Sequence, residues 1–297
     1  MNQTNNGKTI LEFKPVNKDN FLWSRTRENM NLIPVIAFNI DPVLVHLGPV
    51  EIRYYGLMYV LGFIVAFLFL RKLSKEGFFK FSYPEISDLL FWLFVGLLIG
   101  ARIFYVIFYN PTIYLQHPLS IFAIWEGGLS FHGGLAGVIF VAWIYSKKKN
   151  IPFLHLGDSM TLVAPFGLFF GRIGNFLNGE LYGRITTLRW GTIFPNGGPY
   201  PRHPSQIYEA LGEGLLLLAI LWLAKTKVKH TGIISALFLI CYGIIRFFIE
   251  FFRLPDVQLG FIIGQFSMGQ ILCFAMIIAG GIIFYYARKG RFGLIGN

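Results

Sequence analysis

From about residue 54 onward the chain alternates long apolar runs with short polar connections. The runs lie at about 54–70, 86–109, 130–145, 158–178, 206–224, 232–252 and 264–287. Each is near the roughly 20 residues that a helix needs to cross a ~30 Å hydrocarbon core. There, only structures that satisfy their own backbone hydrogen bonds can stand. The pattern predicts an all-α integral membrane protein with about seven transmembrane helices. The third run is short, and the weakly apolar stretch 113–124 reads as an interfacial or re-entrant piece, so six or eight spans also fit. No internal repeat is visible, which argues against a transporter built from two matching halves.

The polar segment 1–30 lacks the basic-then-apolar order of a cleavable signal and reads as a flexible, dispensable tail, with Met30 as a candidate start. Residues 31–297 read as a single polytopic membrane domain, with extracytoplasmic loops near 110–130 and 179–206.

Composition agrees with the runs. Hydrophobic residues make up 55% of the 297 and charged residues only 14%, with 32 Phe and a mean hydropathy of +0.57. Soluble chains are typically about 25% charged. The net charge of +11 does not indicate nucleic acid, because the basic residues sit in short loops and form no continuous face. The two cysteines, Cys241 and Cys273, lie inside apolar runs with no Cys or His neighbour at ligand spacing, so neither a disulfide framework nor a metal site is expected. The basic loops instead set orientation. Arg71, Lys72, Lys75 and Lys80 follow the first run, Lys147, Lys148 and Lys149 the third, Lys225, Lys227 and Lys229 the fifth, and Arg288, Lys289 and Arg291 the last. The alternate loops hold only Arg184, Arg189, Arg202 and Arg253. The positive-inside rule then places the N-terminus outside and the C-terminus in the cytoplasm.

With that orientation, the candidate residues within the runs fall in the outer half of the bilayer: Arg102, Arg172, Arg246 and Glu250 late in the outward runs, and Tyr55, His132, Glu209 and Glu213 early in the inward ones. A charge inside a span is unfavourable by at least about 2.5–3.5 kcal/mol on insertion scales and marks a functional site by default. Tyr242, Arg246, Glu250 and Arg253 fall on one narrow helical face at about 100° per residue, and Arg246 and Glu250 are spaced to pair. A helix-pinning salt bridge explains that pair, but one glutamate cannot balance Arg246, Arg253, Arg172 and Arg102, and an anionic ligand would. Arg172, Asn175 and Asn178 share a side of the fourth run, and Gly167 and Gly171 form a small-xxx-small surface for close helix approach. His132 stands among glycines at the outer boundary, where a structural hydrogen-bonding role competes with proton transfer. Ser205 is placed to cap the fifth helix.

The run GRIGNFLNGELYG at 171–183 resembles the signature of bacterial prolipoprotein diacylglyceryl transferases. The resemblance extends to RYYGLMY at 53–59, SFHGG at 130–134, RHPSQIYE at 202–209, YGIIRFFIEFFR at 242–253 and SMGQIL at 267–272, in the family's order. It implies seven helices in the bacterial cytoplasmic (inner) membrane, with the active site toward the outer leaflet. It also implies transfer of the sn-1,2-diacylglyceryl group of phosphatidylglycerol to the lipobox cysteine of a prolipoprotein signal peptide, without metal, nucleotide or other cofactor. Carried over by motif, the catalytic residues are His132, Arg246, Tyr55, Tyr242 and Glu250, and the phospholipid-binding residues are Arg172, Asn175, Glu180, Gly183 and Arg246. His203 and Arg102 are further candidates. The chemistry suits these types: a thiol of pKa about 8.5 must be deprotonated, and cations must meet a phosphate whose charge rises as the carbon–oxygen bond breaks. A membrane carrier for a small anion uses the same arginines, but requires polar positions leading to both faces, and the inner halves of the runs are nearly all apolar.

Overall fold

A computed structural model of the chain describes residues 36–37, 40–47, 50–79, 81–109, 111–124, 127–254, 261–263 and 266–295. The polar tail, Met30, Lys80 and the Trp125–Glu126 pair lie outside the described residues. Among the described residues seven long helices follow one another: α1 (Tyr54–Lys75), α2 (Tyr83–Phe108), α3 (Phe131–Lys148), α4 (Phe153–Leu177), α5 (Ser205–Lys225), α6 (Ile233–Ile249) and α7 (Met268–Arg288). Five of them, α1, α2, α4, α5 and α7, are long and apolar enough to cross a membrane. In α1 and α7 only 17% of the apolar window is buried, so most of that surface faces outward, the reverse of a soluble bundle.

Helix ends follow local chemistry. Ser82 and Glu85 form a capping box at α2, and Ser267 and Gln270 form one at α7. The start of α6 is capped from another helix. Asp158 of α4, fully buried, accepts the N–H groups of Gly232 (2.6 Å) and Ser235 (2.7 Å) and the Ser235 hydroxyl (2.8 Å). A carboxylate at a helix N-terminus meets both the unpaired N–H groups and the positive end of the dipole. It is also a charge in the half of the fourth run expected to be apolar.

The helices pack in pairs, α1 on α4, α2 on α3 and α6 on α7, with α5 wedged against α4 and α6. The α2–α3 contact is backbone on backbone. A methyl group at Gly100 would come within 2.4 Å of the Gly133 carbonyl, and one at Gly137 within 2.0 Å of the Gly96 carbonyl. A methyl at Gly167 or Gly171 would meet nothing within 4 Å, though Gly167 lies opposite Gly62 of α1, where a methyl would come within 3.7 Å of the Gly167 Cα. Leu70, Leu73, Ile86, Leu89, Leu156, Leu162, Leu217, Leu221 and Ile234 form the core at the end of the bundle that holds the basic loops.

The other end carries the irregular structure. Two-stranded pieces appear that the hydrophobic pattern did not announce: β1 (Ile36–Ala37) pairs in parallel with β4 (Thr192–Ile193), β2 (Val43–Leu47) pairs antiparallel with β3 (Val50–Arg53), and β5 (Phe261–Ile263) with β6 (Phe266–Ser267). Strands this short leave too little alternation to read. The stretch 113–124 forms two short helices, Pro111–Gln116 and Pro118–Phe122, with Leu115, Leu119 and Phe122 exposed. Arg102 holds this stretch to α2. Its Nε donates to the Ile121 carbonyl (2.9 Å), one terminal nitrogen to Gly127 (2.6 Å) and Gly128 (3.0 Å), and the other to Ser120 (2.6 Å) and Ala123 (3.2 Å). All five donors of the guanidinium are thereby engaged, and the arginine expected among the ligand-binding cations is spent on the loop backbone.

Candidate active site

Three guanidiniums and three carboxylates meet where α4, α5 and α6 converge. Midway down α5 the helix widens into a π-helical stretch, Ala210–Leu216, of the kind often found at functional sites. Within it Gly214 lies against the backbone of Phe169 on α4, where a methyl group would come within 3.0 Å of Cα. With no side chain between the helices at that level, Glu209 and Glu213 enter the interior and are both fully buried.

Arg246 of α6 is the hub. One terminal nitrogen donates to Glu209 (2.8 Å) and Glu213 (3.0 Å), and the other pairs with Glu250 (2.9 Å). Arg172 of α4 brings its Nε to the same Glu209 oxygen at 2.8 Å and a terminal nitrogen to within 3.8 Å of Glu213. Arg253 reaches that Glu209 oxygen at 4.0 Å. Glu250 is fixed on its other oxygen by the Ser267 hydroxyl (2.9 Å) and abuts Gly269, where a methyl group would come within 2.8 Å of the carboxylate.

This corrects the expectation that the arginines outnumber their partners. Glu209 and Glu213 supply the missing negative charge, and the Arg246–Glu250 pair forms as its spacing anticipated. The shared helical face reaches only to Glu250, because α6 ends at Ile249 and Arg253 lies in the following turn. Held this way, the guanidiniums have fixed rotamers before any ligand arrives, which is the condition for stabilising developing charge without reorganisation.

Beside Arg172 the end of α4 builds a polar edge. Arg172 approaches the Asn175 side-chain oxygen at 3.5 Å, and Asn175 donates to Glu180 at 2.9 Å. α4 stops at Leu177, and Asn178, just past the end, reaches the same Glu180 oxygen at 3.4 Å. Tyr55, in the first turn of α1, packs against Gly174, shares a hydrogen bond with Tyr59 (2.9 Å) and lies within the electrostatic reach of Arg172 and Glu180. Tyr242, one turn before Arg246, is half-buried and stacks on Phe238.

The loop 179–204 closes over this edge. Gly183 bridges to Arg253, its N–H donating to the His203 carbonyl (2.9 Å), and a methyl group there would come within 2.4 Å of the Phe252 carbonyl. Only glycine fits at that crossing. His203 contacts the Tyr208 hydroxyl (3.2 Å) and packs its ring against Tyr208 and Phe252; this burial holds its imidazole pKa below the usual 6.5. Ser205 does not cap α5. It is the first helical residue, and its hydroxyl donates to the Leu181 carbonyl (3.1 Å).

His132 makes no ion pair with the cluster among the described residues. It is exposed in the first turn of α3, which packs chiefly on α2 by the glycine contact and more lightly on α4, the helix that carries Arg172. The structure thus assembles Tyr55, Arg172, Asn175, Glu180, Gly183, Tyr242, Arg246, Glu250 and His203 around one region, adds Glu209 and Glu213, and engages Arg102 with the loop backbone instead. The added pair had a signal in the sequence, two acidic residues four apart at the start of an apolar run. Among the described residues no group of His, Cys, Asp and Glu is arranged to hold a metal ion.

Comparison with known proteins covers nearly all of the helical part of the chain. A family model for prolipoprotein diacylglyceryl transferase matches residues 42–286. The phosphatidylglycerol–prolipoprotein diacylglyceryl transferase of Geobacter sulfurreducens is 48% identical over 242 residues, covering 82% of this chain and 93% of its own. The enzyme of that name from Idiomarina loihiensis is 49% identical over 251 residues (84% and 94%), and that from Coxiella burnetii 45% over 254 (85% and 97%). A match through all seven helices at this identity is one of common descent and common fold: the chain belongs to the prolipoprotein diacylglyceryl transferase family.

Proposed function

We propose that this protein is a transferase that moves the sn-1,2-diacylglyceryl group of phosphatidylglycerol onto the lipobox cysteine of a prolipoprotein signal peptide. The reaction forms a thioether and releases glycerol phosphate. The observation that carries the reading is the pre-fixed pair Arg172 and Arg246, on a chain that matches the family from one end of the bundle to the other.

The thiol loses its proton, the thiolate sulfur attacks the glyceryl carbon, and the carbon–oxygen bond breaks with its electrons going to the phosphate oxygen. The leaving phosphate gains charge as the bond lengthens. Arg172, the more open of the two guanidiniums with 19% of its side chain exposed against 11% for Arg246, receives the phosphate. Arg246 stabilises the charge that develops. Asn175 and Glu180 line the polar edge that seats the glycerol headgroup, with Tyr55, Tyr242, Glu250 and Gly183 shaping the site. Two imidazoles at this end belong to the motif blocks. His203 is packed between rings, whereas His132 is exposed and free to meet a peptide, so it is assigned as proton acceptor for the thiol.

The protein lies in the bacterial cytoplasmic membrane with seven crossings, the N-terminus outside and the site toward the outer leaflet. α6, with 17 residues, spans about 26 Å at 1.5 Å per residue, close to the ~30 Å core. Reporters active only outside the cytoplasm, fused after about residue 115 or 190, should be active, and those after about 76, 148, 227 or 291 inactive; the reverse pattern overturns the orientation. A chain begun at Met30 keeps its activity if 1–29 is dispensable. The function itself is tested with purified protein in detergent, phosphatidylglycerol and a lipobox peptide. The peptide gains the mass of one diacylglyceryl group, and a monodisperse protein yielding no adduct refutes the assignment.

A further inference from the structure

The run from Asn178 to Gly183 leaves α4 through two left-handed residues. Gly179 (φ 65°) is the ordinary one. Its N–H donates to the Phe176 carbonyl (2.9 Å) and that of Glu180 to the Asn175 carbonyl (3.1 Å), the paired bonds by which a glycine past a helix end satisfies the last carbonyls. Leu181 (φ 57°) is not ordinary, since a Cβ disfavours this region. Among the described residues the only other non-glycine there is Asn150, just past the end of α3 and of a type that tolerates it.

Two side chains from the first turn of α5 hold the backbone around Leu181. Ser205 Oγ donates to the Leu181 carbonyl (3.1 Å), and Gln206 Nε2 donates to the Glu180 carbonyl (2.6 Å). Both residues are fully buried. Gln206 Oε1 has no hydrogen-bond partner among the described residues, which is unfavourable in itself, so the contribution of this amide lies in its Nε2 bond. The consequence appears at Glu180, which sits between the two left-handed residues with its carboxylate turned back onto Asn175 and Asn178 beside Arg172. Glu209, which fixes Arg172 and Arg246, stands one turn further along the same helix.

We propose that Ser205 and Gln206 are positioning residues for the transfer reaction: they hold Leu181 in its left-handed conformation and so keep the Glu180 carboxylate registered with Arg172. The inference rests on the transferase reading above. Steady-state transfer to a lipobox peptide, with the full chain in detergent, tests it. Displacing a group by about 1 Å lowers rates by up to about 100-fold, so Gln206→Ala and Ser205→Ala are each expected to lower kcat about 10- to 100-fold with KM for the lipid changed by less than about 3-fold. Glycine adopts the left-handed region without a steric penalty, so adding Leu181→Gly to either variant should restore kcat to within about 5-fold of the parent. A helix start that had merely loosened gains nothing from glycine in the neighbouring loop. If Gln206→Ala does not fold, Ser205→Ala, which removes one oxygen and suits a helix, decides. Unchanged kcat in the single variants, or losses that Leu181→Gly leaves in place, overturn the inference while the transferase reading stands. A folded parent that transfers nothing removes both.

Discussion

Glu209 offers the sharpest test of the ion cluster, because one of its oxygens serves Arg172 at 2.8 Å, Arg246 at 2.8 Å and Arg253 at 4.0 Å from a fully buried position. Glu209→Gln preserves shape and leaves an oxygen able to accept hydrogen bonds, yet removes the charge that balances two buried guanidiniums. Breaking a buried pair by neutralising one partner typically destabilises by about 3–5 kcal/mol, since the surviving charge stays out of water. The retained amide oxygen favours the lower figure, and about 3 kcal/mol corresponds to a fall of roughly 6–12 °C in Tm for a domain of this size. The protein carries its own probe. Its two cysteines are unpaired, Cys273 buried and Cys241 partly so, and a maleimide dye that fluoresces on reaction reports their exposure during heating in detergent. Adding Arg172→Gln removes one of the stranded cations and should recover about half of the loss, a non-additivity expected of groups sharing one partner. If Glu209→Gln melts within about 2 °C of the parent, water reaches the cluster and the charge-balance argument is wrong.

The same geometry makes Arg246→Lys non-conservative. A single ammonium cannot divide two nitrogens among Glu209, Glu213 and Glu250, and both Arg246→Lys and Arg246→Ala should lose about 100- to 1,000-fold in single-turnover transfer; rates within a few-fold of the parent return Arg246 to a packing role. Arg102→Gln gives up most of five carbonyl contacts and should expose 117–128 to limited proteolysis, with α2 and α3 still paired through their glycines; an unchanged digestion pattern refutes the tether. His203, outside the helices, is held neutral by burial. The unfolded chain therefore binds a proton more readily, and stability falls as pH drops below 6.5 and levels off beneath the lowered folded pKa. His203→Gln should flatten that part of the Tm profile, and an identical slope in both proteins rules out the assignment.

The placement of the helices was legible in the amino-acid order, because a run's length against the hydrocarbon thickness is a local property. So was the Arg246–Glu250 pair, two side chains one helical turn apart whose approach needs nothing beyond that turn. What lay beyond reach were relations between helices. Whether Glu209 faces Arg172, Arg246 or lipid depends on the rotation and depth of α5, which the π-helical stretch and the bare backbone at Gly214 settle together. Local periodicity has no access to either. Arg102 and Asp158 are both charges within apolar runs, yet one is absorbed by loop carbonyls and the other caps a neighbouring helix. In a membrane interior every buried charge must find a partner, so the sequence states the demand; only the packed bundle decides which group meets it.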